Sequence, residues 1–283
     1  MDDIQAAIAA LPPLREVIAS NELAAKKQLG QNFLLDLNLT GRIARSAGDL
    51  ASGTTIEIGP GPGGLTRALL LAGATRLVAI ERDQRCIVAL QPLVEAAAGR
   101  LTVIEADALE IDITSLGPAP HRIAANLPYN IATALLMRWL DRLDTLDGLT
   151  LMFQKEVGDR LRAKPGGDAY GRLSVITQWL CEASAVFDIP PRAFTPAPKV
   201  VSTVIRLVPR PKPLAPARKA TLERVTAAAF GQRRKMLRQS LKTLGIDPLP
   251  LLAATGIDPT GRAEQLTIQQ FCALAEAVDA AAA

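Results

Sequence analysis

The stretch AANLPYNIA, from Ala124 to Ala132, sets Asn126, Leu127, Pro128 and Tyr129 in a row directly after an apolar run. Such an end is suited to something flat that carries an amino group. An exocyclic amine on adenine is a poor nucleophile, because its lone pair is delocalised into the ring. Activating it takes orientation rather than a metal or a covalent intermediate. An acceptor on each N–H draws the nitrogen toward tetrahedral geometry and aims its lone pair at an electrophile. The Asn126 side-chain oxygen and the Leu127 carbonyl are suitable acceptors. Pro128 fixes its own φ and donates no N–H, which holds the turn. Tyr129 offers a face for a base to stack on, worth about 1–3 kcal/mol. The base must be flipped out or single-stranded to enter, and catalysis then comes mainly from proximity and alignment. Taken alone, the four residues also fit a turn without chemistry.

Three earlier segments change that balance. EIGPGPGGL (57–65) carries glycines at 59, 61 and 63, which let the backbone turn tightly and approach a ligand. A glycine-rich turn between strand and helix marks a nucleotide-type site at the carboxyl ends of a doubly wound sheet. Glu81 follows Gly59 by 22 residues at a predicted strand end, where an acid can accept ribose hydroxyl protons of NAD or of S-adenosylmethionine. Asp107 stands at a third strand end in EADAL; it fits the adenine amino group of S-adenosylmethionine and has no equally regular role in NAD binding. The glycine loop lacks the Lys-Ser/Thr of an ATP phosphate loop. Glu57, within a strand buried on both faces, is costly unless hydrogen-bonded; it is expected to brace the glycine loop from beneath.

The elements that must position these residues follow from the patterning. Apolar runs at 54–58, 76–80, 101–105, 122–125 and 149–153 alternate with helical patterns at 65–72, 84–98 and 132–140. This rhythm predicts a parallel sheet covered on both faces. Single helices are expected at 4–19, 36–48 and 170–183, a loop at 21–34, and closing strands at 185–189 and 202–208. Four prolines between 209 and 216 predict a stiff linker. The expected organisation is a catalytic domain at 1–208, a linker at 209–217 and a helical, basic domain at 218–283. There Leu237, Leu241 and Leu244 share one helix face, opposite Lys235, Arg238 and Lys242.

The net charge of the 283-residue chain is +4, but residues 206–242 hold eleven Lys or Arg against one acid, Glu223. That segment carries +10 and the rest of the chain −6, which points to a polyanionic partner. Three scattered cysteines suit a reducing compartment and make no ligand cluster. A single histidine, His121, rules out His-pair metal sites, and no metal is expected; His121 reads as a strand-entry residue. No basic segment followed by an apolar core opens the chain, and no apolar run approaches the roughly 20 residues of a membrane span, so a cytoplasmic location is expected.

The segments KKQLGQNFLLD (26–36), EIGPGPGGLT (57–66), ERD (81–83), ADAL (106–109), NLPYNIAT (126–133), QKEVGDRL (154–161), YGRLSV (170–175), FTPAPKVVST (194–203) and FGQRRKMLRQSL (230–241) span nearly the whole chain. In these the chain resembles the small-subunit (16S) ribosomal RNA adenine N6-dimethyltransferase family. The resemblance implies a Rossmann-like, class I S-adenosylmethionine-dependent methyltransferase domain and a small helical C-terminal domain. It implies transfer of four methyl groups from S-adenosylmethionine, two onto each of two adjacent adenosines in a hairpin loop near the 3′ end of 16S rRNA. The substrate is then a partly assembled small subunit, the role lies in ribosome biogenesis, and the enzyme is a monomer. By position, Asn32 and Leu34 contact the cofactor with Gln31 nearby, Gly59 its methionine part, Glu81 its ribose and Asp107 its adenine. Asn126 contacts the cofactor side and orients the target amine, Tyr129 stacks on the base, and Phe194 closes over its other face. Phe194, ahead of Pro196 and Pro198, reads as an aromatic exposed on a rigid loop, with a core phenylalanine as the other reading. Arg233, Arg234, Lys235 and Arg238 are expected to bind rRNA phosphates without reading sequence, as are Lys26 and Lys27. Gln239 departs from the Asn more usual in the family.

Other readings are a large-subunit rRNA adenine methylase of the macrolide-resistance type, an assembly factor that no longer depends on catalysis, and a DNA adenine methylase. The long second domain with RRKMLRQSLK disfavours the first, and the intact Asn126–Tyr129 set the second. The lack of a separate sequence-reading module disfavours the third.

Overall fold

The computed structural model describes residues 3–25 and 30–282. Lys26 and Lys27 lie outside them. In chain order the elements are α1 (Asp3–Ala9), α2 (Leu14–Ser20), β1 (Phe33–Leu34), α3 (Leu37–Ser46), β2 (Thr54–Ile58), α4 (Gly64–Leu71), β3 (Leu77–Glu81), α5 (Gln84–Ala96) and β4 (Leu101–Glu105). Then come β5 (His121–Asn126), α6 (Tyr129–Trp139), β6 (Leu146–Gln154), α7 (Lys155–Arg162), α8 (Arg172–Leu180), β7 (Cys181–Ile189), β8 (Phe194–Thr195) and β9 (Ser202–Pro209). The helices α9 (Lys219–Gly231), α10 (Leu237–Ser240), α11 (Pro248–Ala254) and α12 (Ile268–Ala282) complete the chain.

Seven strands form one sheet in the order β4-β3-β2-β5-β6-β9-β7. β4, β3, β2, β5 and β6 run parallel, and β9 returns antiparallel to β6 with Gln154 opposite Ser202. From β2 the chain winds outward through β3 to β4, then crosses back to β5 on the other side. The split between β2 and β5 is the switch point where open α/β sheets bind ligands. β2 and β3 are buried along their full length, as strands with helices on both faces must be. The core beneath joins Ile43, Leu69, Leu77, Leu90 and Ala124 to Leu34 and Phe194.

The N-terminal helix expected over 4–19 is two helices. Pro12 and Pro13 break it, because neither can donate to the preceding turn. The helix expected over 170–183 ends at Leu180, and Cys181–Ile189 continue as the edge strand β7. His121 does open a strand, with its Nε2 3.0 Å from the Gly117 carbonyl.

The chain divides into two compact units, one of residues 1–155 with 184–208 and the other of 156–183 with 209–283. Helices α7 and α8 therefore group with the C-terminal helices, whereas the sequence pattern assigned them to the first domain. Within the second unit the proline-rich stretch is tied to α8: Arg210 N donates to the Leu180 carbonyl, Leu214 N to Trp179, and the Trp179 indole to Ala215. Phe230 packs against both Tyr170 and Phe271. Among the described residues no helix is long and apolar enough to cross a membrane. The three cysteines are buried, and among the described residues no disulfide joins them.

Candidate active site

Four parallel strand tips of the first unit carry parts of a single cavity. Gly59, Glu81, Asp107 and Asn126 end β2, β3, the turn after β4, and β5, and all four line it. Asn32 and Leu34 close it from the β1 loop, and Leu127, Pro128 and Tyr129 from the turn before α6. Every cofactor residue expected from sequence is thus brought together, with the four residues of the NLPY turn. Phe194 is not among the lining residues. It is 4% exposed and paired in β8 opposite Leu34, inside the core. The exposed aromatic that its neighbouring prolines suggested is buried.

The glycine turn is held by the acid expected at the ribose. Glu81 accepts from Gly61 N at 3.1 Å, Arg82 N at 2.8 Å and Asp83 N at 2.9 Å. Burial raises its pKa, and these three donors oppose the rise. Gly59 has φ +67° and no atom within 4 Å of a Cβ placed on it; Gly61 has φ +55° with the Phe33 ring 3.1 Å from such a Cβ. Side chains at these two positions would be strained in the left-handed region, and at Gly59 a Cβ would occupy the space left for a ligand.

Among the described residues Glu57 makes no hydrogen bond to the glycines of the turn. Its Oε2 is buried without a partner on the cavity wall. Burial pushes its pKa up to about 8; the Thr66 hydroxyl opposes the rise and the Glu81 charge adds to it. The bracing expected of Glu57 is performed by Glu81.

Asp107 accepts from Leu109 N at 2.9 Å and pairs with the exposed Arg82 guanidinium at 3.1 Å. Asp83, buried, holds Arg85 at 2.6 Å and accepts from Gln31 Nε2 at 3.0 Å. The Arg85 guanidinium holds the pKa of the Asp83 carboxyl down at about 2. Arg82 and Asp83 were visible as ERD but drew no role; Gln31 was read only as a neighbour. The ion pair and the long-range bond tie the β1 loop and the β3 tip, 52 residues apart, into one frame.

At the fourth tip, Asn126 Nδ2 donates to the Asn32 carbonyl at 3.0 Å. A carbonyl accepts only, so this contact decides which way the amide faces. It leaves the Asn126 Oδ1 free to accept. Among the described residues the Leu127 carbonyl accepts no hydrogen bond, while the Pro128 carbonyl takes both Ile131 N and Ala132 N at the start of α6. Two unused acceptors therefore stand side by side. Gly30 supports the turn from outside: a Cβ there would lie 3.0 Å from Asn130 Oδ1 and 3.3 Å from Pro128 Cβ. Tyr129 is half-buried, its hydroxyl 2.6 Å from Ser202 Oγ on β9. Burial raises its pKa, partly offset by Ser202.

The strand-tip acids, the glycine turn and the NLPY turn thus line one cavity. A model described as "Ribosomal RNA adenine dimethylase" matches residues 22–280. The chain belongs to the ribosomal RNA adenine dimethylase family. It is 66% identical to the ribosomal RNA small subunit methyltransferase A of Rhodospirillum rubrum, covering 96% of this chain and 94% of that one. It is 63% identical to the protein of the same name from Paramagnetospirillum magneticum, covering 96% and 97%. The 23S rRNA methyltransferase ErmE superposes with a TM-score of 0.67 at 27% identity, over 88% of this chain and all of that one. A dimethyladenosine transferase from Plasmodium falciparum reaches 0.74 at 24% identity, over 84% and 94%, and shares the fold.

In the second unit, Arg234, Lys235 and Arg238 are exposed, and no ion pair involves them among the described residues. Arg233 is occupied: it donates to the Asp168 carbonyl at 2.6 Å and lies 3.3 Å from Glu264. Lys235, expected to share a helix face with Arg238 and Lys242, is not in a helix. α9 ends at Gly231, residues 232–236 form a loop, and α10 starts at Leu237. Leu237 and Leu241 are buried, while Arg238 and Lys242 face solvent.

Proposed function

We propose that this protein uses S-adenosylmethionine to dimethylate the N6 amines of two adjacent adenosines in a hairpin loop near the 3′ end of 16S rRNA, acting in the cytoplasm on a partly assembled small subunit. One observation carries the reading: the amide of Asn126 is fixed by Asn32, so that its oxygen and the Leu127 carbonyl present two free acceptors at the cavity edge. Two acceptors match the two N–H bonds of an adenine amine. S-adenosylmethionine supplies the electrophilic methyl when bound. The fit of this chain to it rests on the open space over Gly59, the unpartnered Oε2 of Glu57 and the acids at the next two strand tips.

The chain's own groups do the rest. Asn126 and Leu127 accept the amine protons and aim the nitrogen lone pair into the cavity. Pro128 prevents the turn from relaxing. Tyr129, held by Ser202, presents its ring to the base. No strong general base is needed, since the proton leaves to water after transfer. Leu34 and Asn32 close the cofactor side, with Phe194 acting from beneath by pinning Leu34. Arg234, Lys235 and Arg238 are assigned to rRNA phosphates, as are Lys26 and Lys27 from the sequence alone.

The high identity to proteins named for the small subunit favours that substrate over the large subunit, on which the name of the ErmE neighbour draws. The test is methyl transfer from labelled S-adenosylmethionine to unmodified small and large subunits, with the rRNA digested to nucleosides. Dimethyladenosine from small subunits is expected. Label on large subunits alone would move the protein to the other substrate, and binding without transfer would leave an assembly factor.

A further inference from the structure

Behind the glycine turn lies a second cleft, of about 290 Å³, between the α1–α2 corner and helices α4 and α5. Leu11, Val17, Pro62, Ala89 and Leu93 give it apolar walls, and Ser20 and Asn21 line it as well. Its one cation is Arg67, on α4, which is 6% exposed. The Arg67 guanidinium donates from Nη1 to the Pro12 carbonyl at 2.8 Å, and its Nε is buried without a partner. Among the described residues no carboxylate pairs with it, and burial alone pulls its pKa down. Glu16, the one acid lining the cleft, sits at the exposed rim in the first turn of α2.

A guanidinium has five N–H donors, and here one bond is made. A buried charge without a counter-ion is costly, and proteins pair nearly all of them. Arg67 is buried, charged and unpaired at the wall of a cleft large enough for a small molecule. We infer that this cleft is a binding site for a small anion with an apolar body, such as a monocarboxylate, whose head group pairs with Arg67 while its chain lies along Val17, Ala89 and Leu93. The ligand is separate from the methyl-transfer substrates and does not depend on their identity. The cleft shares Pro62 with the cofactor cavity, so an occupant also stiffens the turn that carries Gly59 and Gly61.

The probes are sodium hexanoate and inorganic phosphate, added to the full-length protein with sodium chloride as the ionic-strength control. Hexanoate is expected to raise Tm saturably, by about 3–6 °C at ten times its half-saturating concentration, with phosphate weaker and chloride inert. Arg67→Gln keeps a donor for the Pro12 carbonyl and removes the charge, and it is expected to abolish the hexanoate shift. In the wild type, the Arg67 Nε–Hε resonance is expected to move with the same half-saturation, a readout that needs no variant. The inference is overturned if no saturable shift occurs, if Arg67→Gln responds like the wild type, or if the Arg67 resonance stays still. A response to phosphate alone also overturns it, because the apolar walls would then play no part.

Discussion

The cavity at the strand tips and the basic segment of the helical unit both look, in sequence, like clusters of ligand-binding residues. They are built in opposite ways. Around the cavity Glu81, Asp107 and Asn126 are each fixed by backbone groups, and three acceptors stay unused among the described residues: the Asn126 oxygen, the Leu127 carbonyl and Glu57 Oε2. In the basic segment much of the charge is used internally. Arg218 pairs with Asp279 through two nitrogens, Arg210 with Glu182, Lys219 with Glu223 and Arg233 with Glu264. A run of like charge in sequence is therefore an upper bound on the charge available to a partner. A run of strand tips is closer to a direct reading of the site, because the sheet forces them together.

The comparison breaks most easily at Asn126. Asn126→Ala removes the oriented acceptor and is expected to lower kcat by roughly 10²–10³-fold, the scale found for one preorganised polar group in a transition state, with folding unchanged by circular dichroism. If the loss is less than tenfold, the free acceptors are not the catalytic device. Tyr129→Ala should cost about 1–3 kcal/mol of stacking, roughly 5- to 150-fold in kcat/KM. Tyr129→Phe, which keeps the ring and loses only the Ser202 contact, should cost much less. Equal losses in both variants would assign the role to the hydroxyl.

The basic segment gives a graded result. Replacing Arg234, Lys235 and Arg238 together by Ala should weaken rRNA binding and reduce the slope of log K against log salt by about 2–3. Arg233→Ala should instead lower the Tm of the protein with little change in that slope, because Arg233 is held by Asp168 and Glu264. Identical salt slopes for the two variants would erase the distinction between spent and free charge.

Glu57 yields the smallest and most specific effect. Its folded pKa is raised to about 8 from an ordinary carboxylate value, so the folded state holds a proton that the unfolded chain releases at lower pH. Its contribution to stability is present in full below the unfolded value and is lost as pH rises through about 8. Glu57→Gln should remove that loss: its Tm relative to wild type should rise between pH 5 and pH 8.5. A difference that does not vary with pH would mean Glu57 is ionised in the fold.

The alternation of strands and helices and the strand tips were legible because apolar runs and glycine-rich turns are local signals; the order of the strands in the sheet was not. Asn126, Glu81 and Asp107 could be placed at one edge from their positions alone. What escaped was pairing between distant segments. The burial of Phe194 depends on a partner strand at Leu34, and two flanking prolines gave the opposite local impression. That Glu81 rather than Glu57 braces the turn depends on which carboxylate reaches Gly61, which no spacing rule contains. The grouping of 156–183 with the C-terminal helices is likewise a tertiary fact; the pattern at that point shows only helices.

The two-residue ladder of β1 and β8 sets a schedule on synthesis. Leu34 stands opposite Phe194, so the wall of the cavity that carries Asn32 cannot close until 160 further residues have been made. The sheet imposes the same delay, because β9 inserts between β6 and β7. A nascent chain that has released β2 through β6 holds the glycine turn and the NLPY turn but not the finished cavity. The wall that carries Asn32 is thus completed from a part of the chain made long after it.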